Sequence, residues 1–393
     1  MDNTFFNTPE GTRDRLFSEC RGRRSAQSSI TGLFKRRGYS EVVTPEVEYY
    51  DLLVRSGNPL PQESMLKIID RSGKILVMRP DCTAPIARVA STKLSGGTFP
   101  QRLYYNQTIF RSGGAHDGSE NEIAQCGIEL IGAQGVKGDL EVIAMAIDTL
   151  DACGLYNYQI ELGHSGFFQS LTEGLELKEE TKVKMHQLIE GKSFAGLSEL
   201  IDSLKGLPQA EALRQIPLLF GDISTLDKAE KLTNVHGALE SIGYLRQLYT
   251  LLSFAGRGDR VRFDLGLINR MDYYTGVVFK GYVRGAGRDV LVGGRYDKLL
   301  GSFGQNRPAT GFAVYVDELV SCLPQVKLPR LETVIHYISS MLKEAIEISD
   351  QQPAGTAELS TCESVEESRE LAKQKGAGRL IILGENGVQE VAL

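Results

Sequence analysis

The spacing of apolar residues changes twice along this chain of 393 residues, and these changes define its organisation. Up to about residue 170, helical and extended patterns alternate. Between residues 175 and 255, apolar residues recur at spacings of three and four, as at Leu245, Leu248 and Leu252, with no convincing strand. Extended patterns return at Val261. We therefore predict a mixed body of strands and helices that is interrupted by a helical insertion.

Local patterns predict the individual elements and the domain boundaries. In the first part we expect a helix at Ser18 to Arg37, an extended segment at Ser40 to Val47, and strands at Ile75 to Met78 and Leu103 to Arg111. After the insertion we expect strands at Val261 to Leu267 and Tyr273 to Val283. The tail should contain a strand at Thr333 to Ile338, helices at Met341 to Ser349 and Val365 to Lys375, and a strand at Arg379 to Leu383. The predicted domains are residues 1–174 with 256–323, the insertion 175–255, and a small α/β domain at 324–393.

Composition excludes several classes of protein. No apolar run reaches the roughly 18 residues that cross a bilayer, and the first residues lack the basic and then apolar order of a signal peptide, so we expect a cytoplasmic protein. The net charge of −6 disfavours a large RNA partner, which usually meets a basic surface. The six cysteines form no CxxC pair and the five histidines are scattered, so we expect neither a metal site nor a disulfide framework.

Four segments, in this order along the chain, carry a family resemblance. They are YSEVVTPEV at 39–47, RLYYNQTIFRSGGAHDGSENEIAQCGIELIG at 102–132, LINRMDYYTGVVFKGY at 267–282 and VGGRYDKLLGSFG at 292–304. Singly, GGRYD could be a turn and YYTGVVF a core strand. Together they resemble the class II aminoacyl-tRNA synthetases, and specifically the histidyl branch. The resemblance implies an α+β fold with an antiparallel sheet flanked by helices, and a homodimer formed through the segment that contains Pro45.

The strand predicted around residue 126 has two different faces. Side chains alternate along a strand, so Gln125 and Glu129 point one way while Cys126 and Ile128 point the other. The polar pair could simply face water. The resemblance implies instead that both line an amino-acid pocket, with Asp81 and Thr83 beside the ammonium of the ligand, Arg111 pairing with its carboxylate, and Tyr273 and Tyr274 closing the pocket. A histidine-like ligand is therefore expected.

Several residues that would bind ATP in the resembled enzymes are missing. Glu318 stands where the family has an arginine, and Tyr315 replaces a glycine that leaves room for the nucleotide. Gly113 replaces an acidic residue, and Asn269 replaces an arginine unless Arg270 serves in a shifted register. A carboxylate at 318 is expected to repel phosphates and so to invert the electrostatics of the site.

The resemblance, combined with these losses, points to the synthetase-like regulatory subunits of ATP phosphoribosyltransferase. It implies a chain without catalytic residues or cofactors that pairs with a short-form catalytic subunit in the first step of histidine biosynthesis and mediates feedback inhibition by histidine. A divergent histidyl-tRNA synthetase is the alternative, and a synthetase-like module with some other partner is a third. The tail, with 7 basic against 11 acidic residues from Pro324, is a poor candidate for an anticodon-binding domain. Whether histidine binds the old pocket or the subunit interface stays open.

Overall fold

The computed structural model describes residues 6–55, 60–112, 120–173, 175, 177–204, 206–267 and 274–393. Over these ranges the chain forms two compact units, one of residues 6–16 with 20–324 and the other of residues 17–19 with 325–393. No helix in the described ranges has the length and apolarity to span a membrane.

Thirteen α-helices are present in the described ranges. They are α1 (Ser18–Arg36), α2 (Tyr50–Arg55), α3 (Thr83–Thr92), α4 (Gly135–Ala152), α5 (Ser165–Thr172), α6 (Glu179–Glu190), α7 (Phe194–Ser203), α8 (Ala210–Gln215), α9 (Ser224–Glu230), α10 (His236–Phe254), α11 (Val316–Ser321), α12 (Leu342–Asp350) and α13 (Val365–Lys375).

Sixteen strands are present in the same ranges. They are β1 (Ser40–Glu41), β2 (Val47–Tyr49), β3 (Lys67–Ile69), β4 (Ile75–Met78), β5 (Gln101–Phe110), β6 (Glu122–Ile131), β7 (Tyr158–His164), β8 (Phe220–Gly221), β9 (Val261–Asp264), β10 (Val277–Val283), β11 (Leu291–Arg295), β12 (Ala309–Tyr315), β13 (Thr333–Tyr337), β14 (Ala357–Leu359), β15 (Arg379–Gly384) and β16 (Gly387–Ala392).

Nine strands form the central sheet, in the order β1, β5, β6, β12, β11, β10, β7, β9, β8. The β1–β5 and β7–β9 pairs are parallel, and the other neighbours are antiparallel. A separate three-stranded sheet has the order β2, β4, β3. The predicted α+β fold, an antiparallel sheet flanked by helices, is confirmed.

The main core lies between one face of the central sheet and helices α1 and α4. In α4 the apolar residues at Val142, Ile143, Ala146 and Leu150 follow helical spacing and are fully buried. From α1, the ring of Phe34 packs edge-on at 5.9 Å from that of Phe312 on β12. On the opposite face a second core cluster joins Ile86 and Ala90 of α3 to Tyr105 of β5, so helix α3 covers part of that face.

The predicted helical block contains α6 to α10, and its longest helix buries Leu245, Leu248 and Leu252. The expectation that it contains no strand is wrong. Phe220 and Gly221 form β8, which pairs with Asp264 and Phe263 of β9 at the edge of the central sheet. Two residues are too few to show the alternation by which a strand is recognised in a sequence. The boundaries of the insertion as a domain remain a prediction.

The second unit is a four-stranded sheet in the order β14, β13, β15, β16 with two helices. Its predicted strands and helices occur within one or two residues of the expected ends, and α13 begins at a capping box formed by Ser364 and Glu367. The short strand β14 and the C-terminal strand β16 were not predicted. The exposed residues of β16 lack the apolar alternation that indicates a half-buried strand.

Candidate functional site

A cavity of about 240 Å³ lies on the face of the central sheet opposite α1 and α4; we call it the inner cavity. Of the seven predicted ligand residues, six line it: Asp81, Thr83, Arg111, Gln125, Glu129 and Tyr274. Tyr273 lies outside the described residues. Residues that are distant in sequence, from the start of α3 to strand β6 and the segment before β10, therefore meet at one place.

Strand β6 places two of these side chains. Gln125 and Glu129 lie on the cavity face, whereas Cys126 and Ile128 on the other face belong to the main core, as alternation along a strand requires. Gln125 is only 3% exposed and Glu129 only 2%, so the alternative that this polar pair faces water is wrong. Tyr105 on the neighbouring strand donates a hydrogen bond of 3.1 Å to Oε1 of Gln125, which orients that amide.

Glu129 is enclosed by polar groups at the floor of the inner cavity. Tyr296 donates a hydrogen bond to its Oε2, and Thr83 donates another. Burial raises the pKa of this carboxyl to about 8, against the lowering effect of the two hydroxyls, and the charge of Asp81 raises it further. In the ligand-free cavity Glu129 is therefore mostly protonated at neutral pH.

Two glycines make room for these side chains. A Cβ on Gly311 would collide with the carboxylate of Glu129 and with the backbone carbonyl of Ile128. A Cβ on Gly294, the second glycine of the GGRYD segment, would lie 2.6 Å from the ring of Tyr274. A side chain at either position would therefore collide with a residue that lines the inner cavity.

The opposite wall of the inner cavity carries fixed charges. Arg111 donates from Nε to the carbonyl of Pro80 at 2.8 Å, and its Nη1 lies 3.5 Å from the hydroxyl of Tyr315. Oδ1 of Asp81 accepts a hydrogen bond from the backbone N–H of Ala84 at the start of α3. A guanidinium and a carboxylate in one small cavity complement the carboxylate and ammonium of an amino acid.

A second cavity of about 440 Å³, the outer cavity, shares Arg111, Asp289 and Tyr315 with the inner one. Tyr315 therefore lines both cavities, and the obstruction of a nucleotide by its ring stays a prediction. The predicted inversion of charge is only partly correct, because Nε of Arg288 lies 3.0 Å from Oε1 of Glu318. The turn before β11 therefore supplies a guanidinium that pairs with this carboxylate.

Asp317, the other carboxylate of this helix, is also paired: Arg15 lies 3.3 Å and Arg23 3.5 Å from it. Five carboxylates and three guanidiniums line the outer cavity, and the two arginines that pair with Asp317 lie outside its lining. The same prediction also involved Gly113, Asn269 and Arg270. All three lie outside the described residues.

Sequence reasoning missed three contributors to this region. Tyr296 lies within the GGRYD segment, but nothing local indicates that it contacts Glu129. Gly311 acts through its close approach to Glu129, and Arg288 acts through its ion pair with Glu318. Neither contact leaves a periodic pattern in the sequence. In the described part of the chain, no group of three or more His, Cys, Asp or Glu side chains is arranged to hold a metal ion.

Comparisons with known proteins agree with this architecture. A family model described as histidyl-tRNA synthetase matches residues 11–319. An ATP phosphoribosyltransferase regulatory subunit from Clostridium botulinum is 37% identical over 97% of this chain and 92% of its own length. The protein of the same name from Clostridium acetobutylicum is 39% identical, with 92% and 91% covered.

Two solved structures extend the comparison. An ATP phosphoribosyltransferase regulatory subunit/histidyl-tRNA synthetase from Bacillus halodurans superposes with a TM-score of 0.84 at 30% identity, covering 96% of this chain and 98% of that one. A histidyl-tRNA synthetase from Nostoc sp. gives a TM-score of 0.76 at 20% identity, covering 98% and 97%, and shows likeness of fold alone.

Proposed function

Because the chain belongs to the histidyl-tRNA synthetase family and, within it, to the ATP phosphoribosyltransferase regulatory subunits, we propose that it activates a separate short-form ATP phosphoribosyltransferase and carries no catalytic residues itself. The partner condenses ATP with phosphoribosyl pyrophosphate in the first step of histidine biosynthesis. This chain contributes assembly and feedback sensing, in the cytoplasm, with histidine as its ligand.

One contrast between the two cavities supports this proposal. The inner cavity keeps groups that suit an amino acid, whereas the outer cavity is lined by the ring of Tyr315 and by more carboxylates than guanidiniums. Amino-acid activation needs cations placed against the phosphates of ATP. A chain whose outer cavity is lined in this way can bind an amino acid in the inner cavity but is poorly equipped to activate it.

The lining suggests how histidine would lie in the inner cavity. Its ammonium would face Asp81, its carboxylate would pair with Arg111, and an imidazole N–H would donate to Glu129, which gives up its proton on binding. Each contact is a charge-assisted hydrogen bond in a buried setting, the kind that contributes most to specificity. Feedback inhibition then requires that this site and the active site of the partner favour different states of the complex.

We also propose that the chain forms a homodimer through the segment around Pro45. Val43, Val47 and Tyr49 in and beside this segment are 75%, 40% and 53% exposed. Large apolar side chains exposed so close together are typical of an interface. Light scattering on the purified chain should give twice the mass of 43.2 kDa, and a monomer at micromolar concentration would contradict the dimer.

The function is tested by assaying a short-form catalytic subunit with and without this chain across a histidine titration. We expect phosphoribosyl transfer to appear with the chain and to fall as histidine is added. With Glu129→Gln, activation should persist while inhibition needs a higher histidine concentration. Glu122→Gln, on the same strand but lining the outer cavity and not the inner one, is the matched control for histidine binding and should show the same inhibition by histidine as the unmodified chain.

Two outcomes would reject the proposal. One is a catalytic rate that the chain leaves unchanged. The other is histidine-dependent exchange between ATP and pyrophosphate by the chain alone, which would establish the alternative, a divergent histidyl-tRNA synthetase.

A further inference from the structure

A third cavity, of about 510 Å³, shares no lining residue with the inner cavity. We call it the Arg307 cavity. It lies where α4 begins and where β7 and β11 end, beside the loop that leads into β12. It is formed by elements of the first unit alone. None of its residues has a role in the function proposed above.

The guanidinium of Arg307 is fixed in place but has no polar partner. Its central carbon lies 3.7 Å from the centre of the Phe99 ring, a close cation–π contact. Its Nε is buried without a hydrogen bond. Across the described residues, Arg307 forms neither an ion pair nor a hydrogen bond. The N–H at Nε is out of reach of the cavity, so a ligand there would meet the other N–H groups of the guanidinium, for which an oxyanion is the best partner.

The two carboxylates of the Arg307 cavity both accept hydrogen bonds from Arg295. Asp139 is fully buried and accepts hydrogen bonds from Arg295 at 3.0 Å and from the hydroxyl of Tyr244 at 2.5 Å. Asp297 uses one oxygen, Oδ1, to accept from Arg295 at 3.1 Å and from the backbone N–H of Ala309 at 3.1 Å. Both carboxylates therefore share the guanidinium of Arg295. Oδ2 of Asp297 accepts no hydrogen bond from the described residues and remains available to a ligand.

An imidazole adds a donor to the same wall. Nδ1 of His164 accepts a hydrogen bond of 3.1 Å from the backbone N–H of Gly166, so the proton of the neutral ring is on Nε2. Burial lowers the pKa of His164 to about 4, and the ring stays neutral at physiological pH. The cavity thus presents a guanidinium, a carboxylate oxygen and a neutral N–H, and the charges of its two arginines and two aspartates cancel.

We propose that the Arg307 cavity binds a small zwitterion, a free α-amino acid, with its carboxylate on the guanidinium of Arg307 and its ammonium on Asp297. A ligand with one charge of each sign satisfies the guanidinium of Arg307 and the second oxygen of Asp297, and it keeps the cavity electroneutral. A phosphate dianion would satisfy Arg307 but would lie beside the free oxygen of Asp297, at a cost in repulsion. This site is separate from the inner cavity and does not depend on the regulatory function.

Isothermal titration calorimetry on the full chain tests the proposal, in a Glu129→Gln background that weakens the inner cavity. The probes are the twenty L-amino acids singly, with inorganic phosphate, acetate and methylammonium for comparison. We expect at least one amino acid to bind, and its affinity to fall about tenfold or more in Arg307→Gln and in Asp297→Asn, the loss typical of a charged hydrogen bond. Arg307→Lys should give an intermediate loss, since it keeps the charge without the fork.

The matched control is Arg284→Gln, an exposed arginine outside the cavity, which should leave the affinity unchanged. Far-ultraviolet circular dichroism verifies that each variant is folded, and Arg307→Lys retains the test should Asp297→Asn unfold. The proposal is overturned if no amino acid binds, if binding is insensitive to the Arg307 substitutions, or if inorganic phosphate binds at Arg307 in preference to every amino acid.

Discussion

Tyr296 donates a hydrogen bond to Glu129, although 167 positions separate the two residues in the sequence. Both side chains are almost completely buried, and the contact joins β6 to the segment that follows β11. Burial raises the pKa of this carboxyl to about 8, so we expect it to be mostly neutral in the empty cavity and to ionise when a cationic or N–H donor ligand binds. The behaviour of Glu129 is therefore the most direct measure of what the inner cavity binds.

Glu129→Gln should weaken histidine binding to the full chain by about tenfold to a hundredfold, which corresponds to the roughly 1.5–3 kcal/mol of a charge-assisted hydrogen bond. Glutamine matches the shape of the protonated carboxyl but cannot ionise against the ligand. Calorimetric titration with L-histidine measures the change. Glu122→Gln serves as control, and equal affinity in the two variants would mean that Glu129 does not contact the ligand.

The stability of the first unit should depend on pH through the same residue. Burial raises the pKa of Glu129 from 4.5 to about 8. Because the folded state then holds this proton more tightly, its contribution to the free energy of unfolding is complete below about pH 4.5 and is lost as the pH rises through about 8.

The slope from this single group cannot exceed about 1.4 kcal/mol per pH unit. Urea unfolding should be compared at pH 5, about one unit or less above the ordinary pKa of a glutamate, and at pH 8, the raised pKa of Glu129. The unmodified chain should lose stability between these two pH values, and Glu129→Gln should lose less. An identical loss in both proteins would show that other groups carry the dependence.

Gly311→Ala should destabilise the first unit by about 1–3 kcal/mol and abolish most histidine binding, because overpacking displaces neighbouring atoms. The new methyl group would meet the carboxylate of Glu129 and the carbonyl of Ile128, and a backbone carbonyl within a sheet cannot move aside. Denaturant unfolding and calorimetry check the two effects. Gly287→Ala, whose added Cβ meets nothing within 4 Å, is the matched control.

Asp139→Asn should cost about 3–5 kcal/mol of stability, because it leaves the charge of Arg295 buried with less compensation. Nη2 of Arg295 lies 2.8 Å from Oδ1 of the fully buried Asp139. Asp202→Asn breaks the exposed pair with Arg214 and should cost less than about 1 kcal/mol. Comparable losses in the two variants, measured by urea unfolding, would contradict a special role for the buried pair.

Local periodicity accounts for what the sequence could predict. The two faces of β6 follow from alternation along one strand, which needs no knowledge of tertiary structure. The same holds for the ends of α13, where a capping box leaves a pattern in four consecutive positions. The resemblance of whole segments supplied the sheet and the approximate position of the inner cavity.

The features that the sequence could not predict depend on contacts between distant positions. Arg288 lies in a glycine-rich turn that suggests only a surface loop, yet it pairs with Glu318. Arg307 likewise becomes notable only when its stacking on Phe99 and the absence of a polar partner in the described structure are known. Such pairings depend on the register of strands far apart in the chain, and no local spacing encodes them.

We expect two substitutions in the outer cavity to create the ATP binding that this chain is proposed to lack. Tyr315→Gly removes the ring between the two cavities, and Glu318→Arg changes five carboxylates against three guanidiniums into four against four. The substitution of Glu318 also releases Arg288 from its ion pair. A unit charge about 8 Å from a phosphate is worth about 2 kcal/mol at an effective dielectric constant of about 20.

We therefore expect the double variant to bind magnesium–ATP at least about tenfold more tightly than either single variant, as measured by calorimetry. Tyr315→Phe and Glu318→Gln are the matched controls, because the first keeps the ring and the second removes one charge without adding its opposite. If the double variant binds ATP no better than the unmodified chain, the ring of Tyr315 and the excess of carboxylates are not what excludes the nucleotide. If Tyr315→Gly alone restores binding, steric obstruction outweighs charge, and the pairing of Glu318 with Arg288 already neutralises most of the repulsion.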